Sequence, residues 1–178
     1  MIAIPFGELV LGATVAAALL VAGSVQAAEL DLGAPVPEVT AHDQEGGEVA
    51  LATAAADGFV LVYFYPKADT PGCTKQACSL RDAYAALGER GVRIFGVSAD
   101  DVAAQKAFQE KYRLPFTLLA DPERQVIGAF GVPTNRGFAS RQAFLFRDGR
   151  LVWRDLSAST EQQAADVLAA LDRLAAEP

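Results

Sequence analysis

Only two cysteines occur in this chain of 178 residues, with a single histidine and a single tryptophan. So few cysteines exclude the disulfide framework that staples small, core-poor domains. The one histidine, His42, cannot assemble a metal centre by itself; beside polar turn residues it reads as a solvated loop side chain. Basic residues are outnumbered, 15 Lys and Arg against 22 Asp and Glu, for a formal charge of −7. A nucleic-acid partner would demand a basic face that this balance does not supply. Internal repeats are missing, as are low-complexity tracts beyond local alanine enrichment. What remains, 52% hydrophobic and 21% charged, suits one globular domain.

Residues 1–27 read as a leader rather than as part of that domain. Leu9 to Gly23 is apolar and alanine-rich, too short for a spanning helix of about 20 residues. Ser24-Val-Gln-Ala27 places small residues where a signal peptidase cuts. The expectation is export to a periplasm or to the outside after cleavage at Ala27, or tethering by an uncleaved anchor. Against it, the segment before Leu9 has no Lys or Arg and carries Glu8, so a misplaced start on a cytoplasmic protein is the alternative. The folded domain is expected over residues 28–178.

Both cysteines lie in one stretch, FVLVYFYPKADTPGCTKQACSLRD, from Phe59 to Asp82. Phe59 to Tyr65 is a short apolar run, the pattern of a strand buried on both faces in a parallel sheet. Pro66 ends it. Thr70 has the chemistry of an N-cap and Pro71 suits the first helical position, so a helix starts there with Cys73 in its first turn. Unpaired N–H groups and the positive end of the helix dipole then face the Cys73 sulfur, and the thiolate is the form that attacks.

On an intact helix, Cys73 and Cys78 would stand about 140° and 8–9 Å apart between Cα atoms. A disulfide needs less than about 7 Å. A bridge between them requires the helix to unwind. Cys73 shares a face with Ala77, Leu80, Tyr84 and Leu87 and should point inward, while Cys78 sits with Arg81, Asp82 and Ala85 on a wetter face. One buried and one accessible sulfur, joined only after local unfolding, suggest a redox cycle rather than a static staple.

The run from Pro66 to Cys73 matches the P-x-x-x-T-x-x-C signature of peroxiredoxins. With a second cysteine five residues on, TKQACSLRD resembles the PrxQ class, also called bacterioferritin-comigratory proteins, within the AhpC/TSA family. The resemblance extends from about Leu32 to the C-terminus. It implies an α/β thioredoxin-like fold with an N-terminal β-hairpin and thiol peroxidase activity without metal or organic cofactor. It implies Cys73 as the peroxidatic nucleophile, Cys78 as the resolving cysteine, a Cys73–Cys78 disulfide intermediate, and Pro66 and Thr70 in the peroxide pocket. Arg141-Gln-Ala-Phe-Leu matches the family's R-x-x-F-L, which would set a guanidinium beside the sulfur. Implied partners are peroxides and a thioredoxin-like reductant, and the implied state is a monomer. The segment before Arg141 is compact, with Pro133 and Phe138, where many PrxQ members carry a longer insertion.

The remaining elements follow from pattern. Val39 to His42 and Glu48 to Leu51 flank a Gly46-Gly47 turn as a hairpin, and residues 52–57 form a short connector. Val92 to Ser98 reads as a buried strand. Asp100 can cap a helix over 101–112, with Val102, Phe108 and Tyr112 on its apolar side. A short strand over 116–119 and a short helix over 125–130 follow. Residues 131–140 read as loop, and Asp148-Gly149-Arg150 joins two strands as a hairpin. Arg136, Arg147, Arg150 and Arg154 read as surface charges and Trp153 as a packing residue. A final helix over 161–176 has Ser159 and Gln162 as a capping box and Val167, Leu168, Leu171 and Leu174 as its buried stripe.

Three other readings share the pair of cysteines. A thioredoxin-like thiol–disulfide oxidoreductase would carry C-x-x-C, not C-x4-C. A copper chaperone would need a histidine near the cysteines, and His42 is far off in sequence. A non-enzymatic module would use the pair as a staple.

Overall fold

The computed structural model describes residues 29–176, and the expected leader lies outside them. Its centre is strand β3 (Phe59–Phe64), which alternates sides and is buried from Val60 onward, with Phe59 half-buried at its start. Leu61, Tyr63 and Tyr65 enter one apolar cluster; Val60, Val62 and Phe64 enter another on the opposite face. This double burial is why the run is continuously apolar. Each fully buried large side chain contributes about 1.5–3 kcal/mol.

Around β3 the chain builds a seven-stranded sheet. On one side lie β4 (Val92–Ser98), parallel to β3, and β5 (Thr117–Ala120), parallel to β4. On the other side β8 (Gln142–Arg147) and then β9 (Arg150–Asp155) run antiparallel. The N-terminal hairpin of β1 (Thr40–Asp43) and β2 (Glu48–Ala50) completes the far edge, β1 pairing with β5. Helices cover both faces, as parallel strands require. The long ones, α2 (Pro71–Asp82), α4 (Val102–Tyr112) and α6 (Gln163–Ala176), contribute to the cluster holding Tyr63; α1 (Leu51–Ala54) and α5 (Gln125–Ala129) contribute to the other.

Several elements depart from expectation in instructive ways. The cysteine helix stops at Asp82, and α3 (Tyr84–Glu89) begins after a break at Ala83. Tyr84 is therefore carried out of line with Cys73 and lies 38% exposed. Asp101, not Asp100, caps α4, accepting from the Ala104 N–H at 2.8 Å. Residues 134–139 are not plain loop: β6 (Thr134–Asn135) and β7 (Phe138–Ala139) form a small hairpin. Its two-residue turn, Arg136-Gly137, has both φ values positive, the conformation that matches strand twist. Ser159 caps the end of the chain's last turn by accepting from Glu161 and Gln162, but the regular helix starts only at Gln163. His42 is exposed, as expected, yet it sits within β1 rather than in a loop.

Arg154 is likewise no free surface charge. It reaches back to the N-terminal lead-in, donating to the Leu30 carbonyl and pairing with Glu29 at 3.0 Å. Arg150 adds a bond to the Gly33 carbonyl at 3.4 Å, and Arg147 lies over the Phe59 ring. Trp153 packs half-buried against the core, as expected.

Candidate active site

The C-terminal end of β3 delivers the chain to the centre of the sheet's edge. Tyr65 continues the ladder by one bond, its N–H donating to the Val97 carbonyl at 3.1 Å. Pro66 cannot extend it. The turn that follows is fastened by Asp100, whose carboxylate accepts from the Ala68 N–H and from the Ser98 hydroxyl, both at 2.7 Å. The residue first read as a helix cap instead ties the β4 end to the loop entering α2. Asp69 occupies a left-handed conformation at φ 56°.

Thr70 stands at the N-cap position, with extended φ and ψ, and Pro71 opens the helix. The Thr70 hydroxyl makes no cap bond, contrary to expectation. It donates to the Lys67 carbonyl at 3.0 Å, closing the loop on itself. The first-turn N–H groups around Cys73 are thus not taken up by that side chain.

Cys73 is 2% exposed and Cys78 is half-buried; both are free thiols. Arg141 reaches Cys73 from the start of β8, with its Nη2 3.6 Å from Sγ. The arginine backbone is held in turn, its carbonyl accepting from the Ala158 N–H at 3.1 Å. Its other nitrogen, Nη1, donates to Gln76 Oε1, and Gln76 Nε2 donates to Gln163 Oε1 at the start of α6. Both glutamines are buried, at 0% and 1% exposure. Sequence reasoning missed this pair because a glutamine one turn past Cys73 looks like any polar helix residue. The available signal was position: Gln76 falls on the inward side of α2 beside Ala77.

Gly72 makes room for this arrangement. A Cβ there would stand 3.3 Å from Arg141 Nη2 and 3.5 Å from the Thr160 methyl. Beneath α2, the Tyr63 phenol is buried without a hydrogen-bond partner, and burial pushes its pKa well above the usual tyrosine range. It stays neutral and cannot serve as a base. Tyr65, also pushed upward by burial, donates to Gln105 Oε1. At Pro66 opens a groove of about 410 Å³, lined also by Asn135, Arg136, Phe138, Ala139 and Ser140; Cys73 and Arg141 do not line it.

The structure therefore brings Cys73, Arg141, Gln76 and Gly72 together, with Thr70 and Pro66 in the flanking loop and Cys78 on the same helix. It sets a guanidinium against a buried sulfur in a water-poor setting, and the Pro66 loop leads from there to the groove.

Comparison with known proteins gives concordant results. The AhpC/TSA family model matches residues 32–154. Peroxiredoxin Q of wheat (Triticum aestivum), a chloroplastic protein, is 48% identical over 103 residues, covering 58% of this chain and 47% of the relative. The chloroplastic peroxiredoxin Q of Suaeda salsa is 41% identical over 133 residues, covering 72% and 62%. The chain spans about half the length of the curated relatives it matches. Among solved structures, peroxidoxin BcpB of Mycobacterium tuberculosis superposes with a TM-score of 0.76 at 32% identity, covering 82% of this chain and 99% of that one. The bacterioferritin comigratory protein of Xanthomonas campestris gives 0.74 at 28% identity, covering 82% and 98%. The fold is the thioredoxin-like α/β fold of these proteins, N-terminal hairpin included. One expectation is overturned: the relatives are chloroplastic, retained in an organelle of the cell, and give no support to export into a periplasm or secretion.

Proposed function

The chain belongs to the AhpC/TSA family, and on that basis we propose that it is a thiol-dependent peroxidase reducing hydrogen peroxide and organic hydroperoxides. One observation carries this reading: the Arg141 guanidinium faces the sulfur of a cysteine buried in the first turn of a helix.

In this mechanism the Cys73 thiolate attacks the nearer oxygen of the peroxide, and the O–O bond breaks. The departing oxygen leaves as water or an alcohol after taking a proton, and Cys73 becomes a sulfenic acid. Negative charge moves from sulfur to the leaving oxygen during this step. A guanidinium fork, fixed by Gln76, can follow that charge with its remaining N–H groups. Pro66 and the Thr70 loop form the near wall of the peroxide pocket.

Resolution follows. α2 unwinds, the Cys78 sulfur attacks the Cys73 sulfur, and the sulfenic hydroxyl leaves as water, giving the Cys73–Cys78 disulfide. A thioredoxin-like dithiol then reduces that bond by exchange and is itself oxidised. The resemblance to PrxQ proteins favours a monomer, and the reaction as written draws on this chain's two sulfurs alone. The alkyl peroxide reduction named for the Xanthomonas relative supports organic hydroperoxides as substrates, and the groove beside Pro66 offers them apolar surface. Disulfide oxidoreductase action is disfavoured by the helix, which keeps the two sulfurs too far apart to exchange as a preformed pair.

The test is to add one equivalent of hydrogen peroxide to the reduced protein in a stopped-flow instrument and count free thiols, with Cys73→Ser as control. Rapid loss of both thiols in the parent alone, with an intramolecular bond formed, is the expected result. Thiol loss no faster than that of free cysteine would refute the peroxidase.

A further inference from the structure

We propose that Tyr112, a residue outside the reactive centre, clasps both ends of α2 and thereby sets how fast Cys78 reaches oxidised Cys73. This inference rests on the peroxidase reading. Its basis is that one residue at the end of α4 holds the chain on either side of the cysteine pair. The Tyr112 hydroxyl donates to Asp69 Oδ1 at 2.6 Å, just before the helix. The Tyr112 carbonyl accepts from Arg81 Nη1 at 2.9 Å, just after Cys78. Lys111 reinforces the first contact, donating to the two Asp69 oxygens at 2.8 and 2.7 Å.

The post behind the clasp is rigid. Phe108 is buried, and Gln105 is fully buried, bonded to the Tyr65 hydroxyl, to Ser98 Oγ at 2.9 Å and to the Leu119 carbonyl at 2.8 Å. α4 is thus locked to β4 and β5 and does not follow α2 when it moves.

The helix it holds is less secure. Thr74 Oγ1 on α2 and the Tyr63 hydroxyl beneath it are buried without partners, and unsatisfied groups favour any opening that admits water. The middle of α2 is held from the other side by the apolar cluster it shares with α6, by Lys75–Glu161 at 2.7 Å, by Ser79 Oγ to the Glu161 carbonyl at 3.3 Å, by the Ala164 N–H to Ser79 Oγ at 3.4 Å and by the Gln76–Gln163 bond, whereas its two ends are tied by side-chain bonds to Tyr112. The segment that must unwind for the disulfide therefore lies between two anchors on one residue. Once Cys73 carries a sulfenic hydroxyl, two fates compete. Cys78 displaces that hydroxyl as water, or a second peroxide delivers another oxygen to give a sulfinic acid and water or alcohol. A tighter clasp slows the first fate and favours the second.

The experiment uses the full chain with Tyr112→Phe, and Asp69→Asn as a second variant should the first fold poorly. Hydrogen exchange in the reduced proteins reads α2 opening without peroxide. The α2 amides should exchange about threefold faster in either variant, β4 amides being unchanged. With one equivalent of hydrogen peroxide, the first step in Tyr112→Phe should keep its rate while disulfide formation speeds up by a similar factor; in Asp69→Asn, which alters the pocket loop, only the ratio of disulfide formation to sulfinic acid is read. More peroxide should then be needed to produce the sulfinic acid. Unchanged α2 exchange overturns the clasp. Faster exchange with an unchanged disulfide step overturns its role in resolution. A parent that never consumes thiols defeats the peroxidase reading alone, and the exchange result then still decides the clasp.

Discussion

Arg141 Nη1 donates to the side-chain oxygen of Gln76, a partly buried bond between the start of β8 and the first turns of α2. This bond fixes the rotation of the guanidinium plane, and with it the direction in which Nη2 points at Cys73. Arginine side chains have several soft torsions, so a fork held at one tine is preorganised at the other.

Gln76→Ala should therefore slow the reaction of Cys73 with peroxide by about tenfold, less than the 10²–10³ lost when a transition-state donor is deleted outright. Gln76→Glu keeps an acceptor for Arg141 but loses the donor to Gln163 and sets a negative charge near the sulfur, so it should recover only part of that rate. Both are measured by stopped-flow in a Cys78→Ser background, where the first step stands alone. Equal rates for Gln76→Ala and the parent would show that the guanidinium needs no such support.

Gly72→Ala separates activity from stability. Alanine is favoured over glycine in a helix by about 0.5–1 kcal/mol. Its methyl would nevertheless stand 3.3 Å from Arg141 Nη2, which must give way. The expected variant melts no lower than the parent yet reacts with peroxide about tenfold more slowly. A variant that keeps the parent's rate would mean that the guanidinium position is not critical.

Tyr63→Phe should stabilise the fold. The hydroxyl is buried with no partner, and removing such a group recovers on the order of 1 kcal/mol. The ring contacts with Tyr65 and Phe116 are retained. Thermal unfolding would show a higher midpoint; a lower one would mean that the hydroxyl has a partner such as an ordered water.

The Asp69 clasp has a defined pH window. Hydrogen bonds from Lys111 and then Tyr112 hold its carboxyl below the ordinary value. Its contribution is therefore complete above the usual carboxylate range and is lost as pH falls through its own lowered value. Asp69→Asn should lower the denaturant midpoint at pH 7, and the gap from the parent should close as pH falls below the usual carboxylate range and the parent's carboxyl takes up its proton. A gap that stays constant across that titration would place the Asp69 contribution outside its charge.

Much of this molecule is legible in short sequence windows. Pro66, Thr70, Cys73 and Arg141 stand in compact motifs, and β3 and β4 are apolar runs with clear ends. What escaped depends on contacts between distant segments. Asp100 and Asp101 are chemically equal as caps, and only the packing of the loop at Ala68 decides which turns inward. Gln76 and Gln163 are ordinary helix residues until they meet across α2 and α6. The β6–β7 hairpin hides behind an arginine at a positive φ, a position where Asn or Gly would have announced the turn.

The order of strands also bears on synthesis. β3 leaves the ribosome early, but its partner on one side is β8, and Arg141 follows Cys73 by 68 residues. A nascent chain that has emerged only as far as β5 can pair β3 with β4, yet it lacks Arg141. On the proposed peroxidase mechanism, the sulfur would gain its guanidinium partner only late in translation, when β8 slots in beside β3. Until then Cys73 would be a cysteine without that neighbour, an order of assembly dictated by the topology of the sheet.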